Sequence, residues 1–216
     1  MTPRFADAVD PILIHVFSLL ERIDAGSDVS PAEEKRTLEG LVQQADARLV
    51  GYAENWELAK YALVTWIDEM LVDGHIWNGQ QWWRDNVLEW SLFNSRRCND
   101  LYYVNANTAL NSGSDDALQL IYVCVMLGFR GLYRDARLNR MLIDKHGLAS
   151  DLPAWAGEYG NAVAQARQRW NDATAGQECE RAIVTAVPLW NRARIVWPWL
   201  LVTILAGLLI LSYFRA

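Results

Sequence analysis

From Ile195 to Phe214 the chain reads IVWPWLLVTILAGLLILSYF, 20 residues without a charged side chain. A helix rises about 1.5 Å per residue, so this run would span about 30 Å, the hydrocarbon thickness of a bilayer. Trp197 and Trp199 stand at one end, Tyr213 and Phe214 at the other, as an aromatic belt would. Pro198 falls in the first turn, where its missing N–H does little harm. A buried C-terminal core helix is the competing reading, but a soluble helix rarely stays apolar on every face for about five turns. Residues 195–214 are therefore read as a transmembrane helix.

Arg192 and Arg194 precede the run and only Arg215 and Ala216 follow it, so the positive-inside rule places the N-terminal part in the cytoplasm. The first twenty residues carry Asp7, Asp10 and His15 and no basic n-region, so they do not read as a signal peptide. Three cysteines, Cys98, Cys124 and Cys179, stand far apart with no CxxC, which sets aside a disulfide scaffold and a zinc knuckle. The chain has 26 acidic and 20 basic side chains; without the three arginines around the run the remainder carries 17 − 26 = −9. Such a part lacks the basic stripe of a nucleic-acid binder. It also does not lie against an anionic leaflet, and points away from the membrane or towards a basic partner.

That remainder reads as helices throughout. Ile12, Val16, Leu19, Leu20 and Ile23 share one face of a helix over 8–23. Ser30-Pro31-Ala32-Glu33 has the form of a capping box, opening a helix with Leu38, Leu41, Val42, Ala45 and Leu49. A third helix begins near Glu54 and ends at Asp73-Gly74; a fourth is expected over Gln80–Phe93. Residues 94–100 read as polar turn, 101–110 as a short helix or irregular segment, and Asn111–Ser114 as a loop. Ala117–Leu127 is too short to span a membrane and too apolar for a surface helix, so it is expected to be the central core helix, with a buried strand as the alternative. A short helix over Arg137–His146 and a long polar one from Pro153 or Ala154 to about Val184 complete the reading. Residues 1–185 are thus a helical domain and 186–194 a juxtamembrane segment.

A search for chemistry finds no P-loop, GxSxG, GxGxxG, HExxH or Cys-His metal spacing. The sharpest acidic constellation is Asp68-Glu69, followed by Asp73 and His75. An enzyme would use Asp68 or Glu69 as a general base with Asp73 and His75 as metal ligands. Adjacent helix residues diverge by about 100°, however, so the two carboxylates do not converge on one point. Three readings remain: a solvated face, an acidic pair tied to Arg130 or Arg134, or a cleft lining that takes a basic partner. Neither a catalytic residue nor a cofactor or metal site is expected.

Tyr61-Ala62-Leu63-Val64-Thr65-Trp66-Ile67-Asp68-Glu69 resembles the alanine, leucine, aspartate-glutamate helix of the TssL/DotU family. Trp77 and Trp82-Trp83 are similar to the tryptophan-bearing segment that follows it, and Leu92-Phe93 to its end. Leu120-Ile121-Tyr122-Val123-Cys124-Val125-Met126-Leu127-Gly128-Phe129-Arg130-Gly131-Leu132-Tyr133-Arg134 resembles the family's most specific signature. The chain departs from the pattern at Asn78, where the family has glycine, at Arg130, where it has glutamate, and at Cys98-Asn99, where two glycines are usual.

The resemblance implies an all-α fold of two small packed helical bundles forming a hook, on one C-terminal transmembrane helix in the bacterial inner membrane, with residues 215–216 as a short periplasmic tail. It implies a non-enzymatic scaffold subunit of the type VI secretion membrane complex, linking an IcmF-like partner (TssM) to the cytoplasmic baseplate, with an outer-membrane lipoprotein (TssJ) nearby and self-association. The alternatives are a DotU-type subunit of a type IVB system that stabilises its IcmF partner, and a tail-anchored adaptor outside secretion. On this reading Asp68, Glu69 and Asp73 bind a partner. Trp66, Trp77, Tyr122, Gly128, Phe129, Gly131, Tyr133 and Arg134 form the structural signature. Arg192, Arg194, Trp197, Trp199 and Tyr213 mark the membrane boundary.

Overall fold

A computed structural model describes residues 1–185, with side chains through 174. The expected span 195–214, its boundary residues and the juxtamembrane segment lie outside the described residues. Among the described residues every regular element is helical: α1 Pro3–Asp24, α2 Pro31–Arg48, α3 Ala53–Glu69, α4 Gln80–Asp85, α5 Leu88–Phe93, α6 Cys98–Ser112, α7 Asp115–Met126, α8 Arg140–Lys145 and α9 Leu152–Thr185. The chain divides into Met1–Arg167 and a unit from Gln168 onward. In the second, Gln168 donates to Asp172 at 2.9 Å along the helix.

Helix α1 runs through Pro11. A proline has no N–H to give to the carbonyl four residues back, which leaves the Asp7 carbonyl free. The Arg48 guanidinium donates to that oxygen at 2.9 Å, while Arg4 donates to the Arg48 carbonyl at 2.9 Å. The defect in α1 thus becomes its tie to the end of α2. A second tie is Glu34, buried beside α1, which accepts from Arg22 and meets His15, each at 2.8 Å. Pro31 opens α2 as expected, but Ser30 makes no side-chain cap bond; its carbonyl accepts from Glu33 N and Glu34 N instead.

Helix α3 is buried over nearly its whole circumference, from Trp56 through Asp68, and packs most extensively against α7. Asp115–Asp135 is long and apolar enough to cross a membrane, yet α7 is a core helix: Leu120, Ile121 and Cys124 are fully enclosed. The strand alternative for this segment is excluded. One connected cluster of buried side chains runs from Phe5 to Tyr159.

Several boundaries differ from the expectation; α1, for one, starts at Pro3 rather than at residue 8. The helix over 80–93 is two short helices broken at Asn86-Val87; the turn expected over 94–100 ends at Arg97, and from Cys98 to Ser112 the chain is one 15-residue helix, α6. The loop at 111–114 shrinks to Gly113-Ser114, because Gly113 closes α6 in the left-handed conformation at φ 70°. The 137–146 helix is confined to Arg140–Lys145 and is preceded by a 3-10 turn over Gly131–Asp135. Helix α3 passes into a π turn over Met70–Gly74, which displaces Asp73 from the α-helical register.

Candidate functional site, an acidic cleft at the end of α3

The last turn of α3 carries two carboxylates that do different work. Asp68 is buried. Its Oδ1 accepts from the Trp83 indole N–H and from Leu88 N, both at 2.9 Å, and its Oδ2 accepts from Glu89 N at 2.8 Å. Leu88 and Glu89 are the first residues of α5, whose opening N–H groups have no partner within the helix. Asp68 caps them from another helix, which is why the expected 80–93 helix is cut in two. Burial pushes the Asp68 carboxyl up from its ordinary 3.8 to about 6, outweighing the three donors that favour the charge, and the Glu89 carboxylate adds to the rise.

Glu69 faces the other way. Its Oε1 accepts from Arg130 N at 2.8 Å and its Oε2 from Gly131 N at 3.1 Å. The Arg134 guanidinium adds an ion pair at 2.9 Å and also reaches Asp73, which has a second cation in Arg84 at 3.6 Å. Desolvation works against the Arg134 charge, but Glu69 and Asp73 more than offset it and hold its pKa above the ordinary value. The two consecutive N–H groups point at one carboxylate because Gly131 is left-handed at φ 48° and Gly128 stands at φ 118°. A Cβ on Gly131 would lie 2.9 Å from the Phe129 ring and 3.1 Å from that of Tyr103.

Between these two clasps lies a cavity of about 300 Å³ lined by Asp68, Glu69, Asp73, Glu89, Cys98 and Arg134, among others. Sequence reasoning missed Glu89. It is buried and accepts from the Tyr61 hydroxyl at 2.6 Å and from Arg97 N at 2.8 Å. The only signal for it was its place one residue after an apolar position in α5. Burial, reinforced by Glu89, pushes the Cys98 thiol up to about 12, so it carries little thiolate at neutral pH.

Of the three acids expected to face a partner, Asp68 and Glu69 are engaged within the fold, and Asp73, paired with Arg134 and Arg84, keeps its side chain 39% exposed. The expected tie between the acidic pair and the arginines is present in a different form: Arg134 pairs through its side chain with Glu69, and Arg130 contributes its backbone N–H. His75 meets Asp24 at 2.8 Å rather than joining Asp73. Among the described residues no cluster of His, Cys, Asp and Glu is arranged to hold a metal ion.

The signature residues frame the clasps. Trp66 is buried edge-on to Phe17, and Trp77 donates from its indole N–H to the Leu71 carbonyl at 2.8 Å. Phe129 stacks on Tyr102 with ring centres 3.8 Å apart. Tyr133 donates to the Ala149 carbonyl at 2.8 Å, and Tyr122 leaves only a glycine's room at Gly160.

The structure is similar to the cytoplasmic domain of TssL from Acinetobacter baumannii, with a TM-score of 0.59 and 19% identity, covering 75% of this chain and 98% of that one. At that identity the likeness concerns the fold. Comparison with curated proteins gives no match. The family model described as type VI secretion system protein DotU matches residues 4–216, nearly the whole chain. By that match, with the helical fold in agreement, the chain belongs to the DotU family of type VI secretion system proteins.

Proposed function

We propose that the chain is a non-enzymatic scaffold subunit of a type VI secretion membrane complex. Its helical part faces the cytoplasm as a hook of two bundles, and a single C-terminal helix over 195–214 holds it in the inner membrane. It links an IcmF-like membrane protein to baseplate subunits, and copies of it associate. The observation that carries this reading is the family match through residue 216, which takes in both the helical part and the uncharged run.

The acidic cleft is the proposed docking point for a basic surface. Asp73 and Asp135 line its open side, whereas Asp68 and Glu69 keep its walls in place. Reversing the two open acids, Asp73→Lys with Asp135→Lys, therefore tests docking with less damage to the fold than reversing the inner pair. Crosslinking and co-purification of the full chain from native membranes, with an N-terminal tag and mass spectrometry, is the test. An IcmF-like membrane protein with baseplate subunits is expected, and loss of the baseplate subunits in the reversed variant with helicity intact. Recovery of the chain alone from cells expressing the apparatus overturns the scaffold reading.

A further inference from the structure

Two exposed surfaces, neither of them part of the cleft's inner clasps, have complementary character. The first is a stripe on α1. Asp10, Ile14, Phe17 and Glu21 follow one another at steps of four, three and four residues, so they share one helix face. All four are exposed, Ile14 by 67% and Phe17 by 40%. Phe17 is steadied by its edge contact with Trp66. Asp10 and Glu21 enter no ion pair among the described residues. The stripe is thus two apolar side chains with an unpaired acid at each end.

The second surface is the corner formed by α8 and the turn before it. Leu138 is 82% exposed and Met141 85%, two large apolar side chains close together in sequence. Around them stand Arg137, Arg140 and Lys145, all exposed. Arg140 is answered by Asp144 at 3.6 Å, while Arg137 and Lys145 have no ion partner among the described residues. Beside the exposed acids Asp135 and Asp144, the corner presents two apolar side chains flanked by two cations without an ion partner among the described residues, in a chain whose formal charge is −6.

We infer that the α1 stripe of one copy docks on the Arg137–Lys145 corner of a second copy of this chain. Ile14 and Phe17 pack on Leu138 and Met141, and Asp10 and Glu21 meet Arg137 and Lys145. Charge complementarity selects this occupant over an anionic bilayer, which attracts the corner but repels the stripe and Asp144. The contact joins two different surfaces, so each copy keeps one of each free and the contact can propagate around a ring or along a row. Four apolar side chains make a small contact, below the size of a stable free dimer. It therefore acts between copies already concentrated together, and here the inference rests on the proposed self-association in one membrane.

The test uses full-length chains with Cys98→Ser and Cys179→Ser, expressed as two differently tagged copies in native membranes. One copy carries Phe17→Cys and the other Met141→Cys, and a short bismaleimide is added. An inter-copy crosslink is expected, and none when Val50→Cys, at a site 76% exposed, replaces Phe17→Cys. Asp10→Lys with Glu21→Lys on both copies should cut the crosslink by about tenfold, as should Arg137→Glu with Lys145→Glu, because like charges then face one another. A copy with the α1 reversal paired with a copy carrying the corner reversal should regain it. Co-purification of the two tags without the crosslink, or with reversals that change nothing, overturns the assigned surfaces and leaves self-association standing. Loss of the crosslink on corner reversal alone assigns the corner to another occupant, such as lipid. Absence of any co-purification overturns both the surfaces and self-association.

Discussion

At Asp68 a carboxylate has been moved out of water and given three N–H donors in exchange. Removing it strands those donors, so Asp68→Ala should lose about 2–4 kcal/mol of unfolding free energy by urea titration. The same burial has a pH signature. With its carboxyl at about 6 in the folded chain against 3.8 when exposed, Asp68 keeps its proton in the folded state over a window where the unfolded chain has released it. Stability from this group is therefore highest below about pH 4 and falls as pH rises through 6, by about 3 kcal/mol in all. Urea midpoints measured from pH 4.5 to 7.5 should show that downward contribution in the native chain and not in Asp68→Asn. Glu69 works through different partners, and Glu69→Ala should release Arg134 and two backbone N–H groups. Its expected signature is faster hydrogen exchange at Arg130 and Gly131, with the Asp68 cap on α5 still protected.

Between helices the decisive features are places where a side chain from one element completes another. The turn after α7 can present two N–H groups to Glu69 only with glycine at 131, so Gly131→Ala should destabilise by about 1–3 kcal/mol in thermal or urea unfolding. Gly79→Ala acts on sterics alone: its Cβ would stand 2.2 Å from the Trp77 ring, which would have to leave its site. A change in tryptophan fluorescence, together with a lower melting temperature, is the expected readout. The same distinction explains what could be read in the sequence. The α1 face, the start of α2 at Pro31, the extent of α3 and the apolar α7 follow from local periodicity and Pro or Gly signals, and all are present. The break at Asn86-Val87 is not local; it is imposed by Asp68, about twenty residues earlier, and no pattern within 80–93 announces it. Ser30 shows the converse, since a capping motif in sequence does not oblige its hydroxyl to cap. In the site, the 100° divergence of Asp68 and Glu69 was legible, and so was the pairing of an acid with Arg134. Which acid turns inward was not, because burial is set by α4, α5 and the 130–134 turn together. Glu89 was invisible for the same reason.

For the whole molecule, the uncharged run and the helical part make separate predictions. Deleting residues 195–214 should move the chain from the membrane pellet to the soluble fraction while its helical circular dichroism per residue stays close to that of residues 1–185, as fractionation and spectroscopy would check. The two clasps at the end of α3 also differ in when they can close during synthesis. The Asp68 cap needs only the chain through Glu89, but the Glu69 clasp needs Arg134. At about 5–20 residues per second, roughly two to nine seconds of translation separate those two residues. During that interval the first three helices and the α4–α5 pair can close around Asp68 while Glu69 remains adjacent and unanswered. The nascent chain thus passes through a half-latched stage, in which one acid of a neighbouring pair is already enclosed and the other still holds open the seat that the later half of the chain must fill.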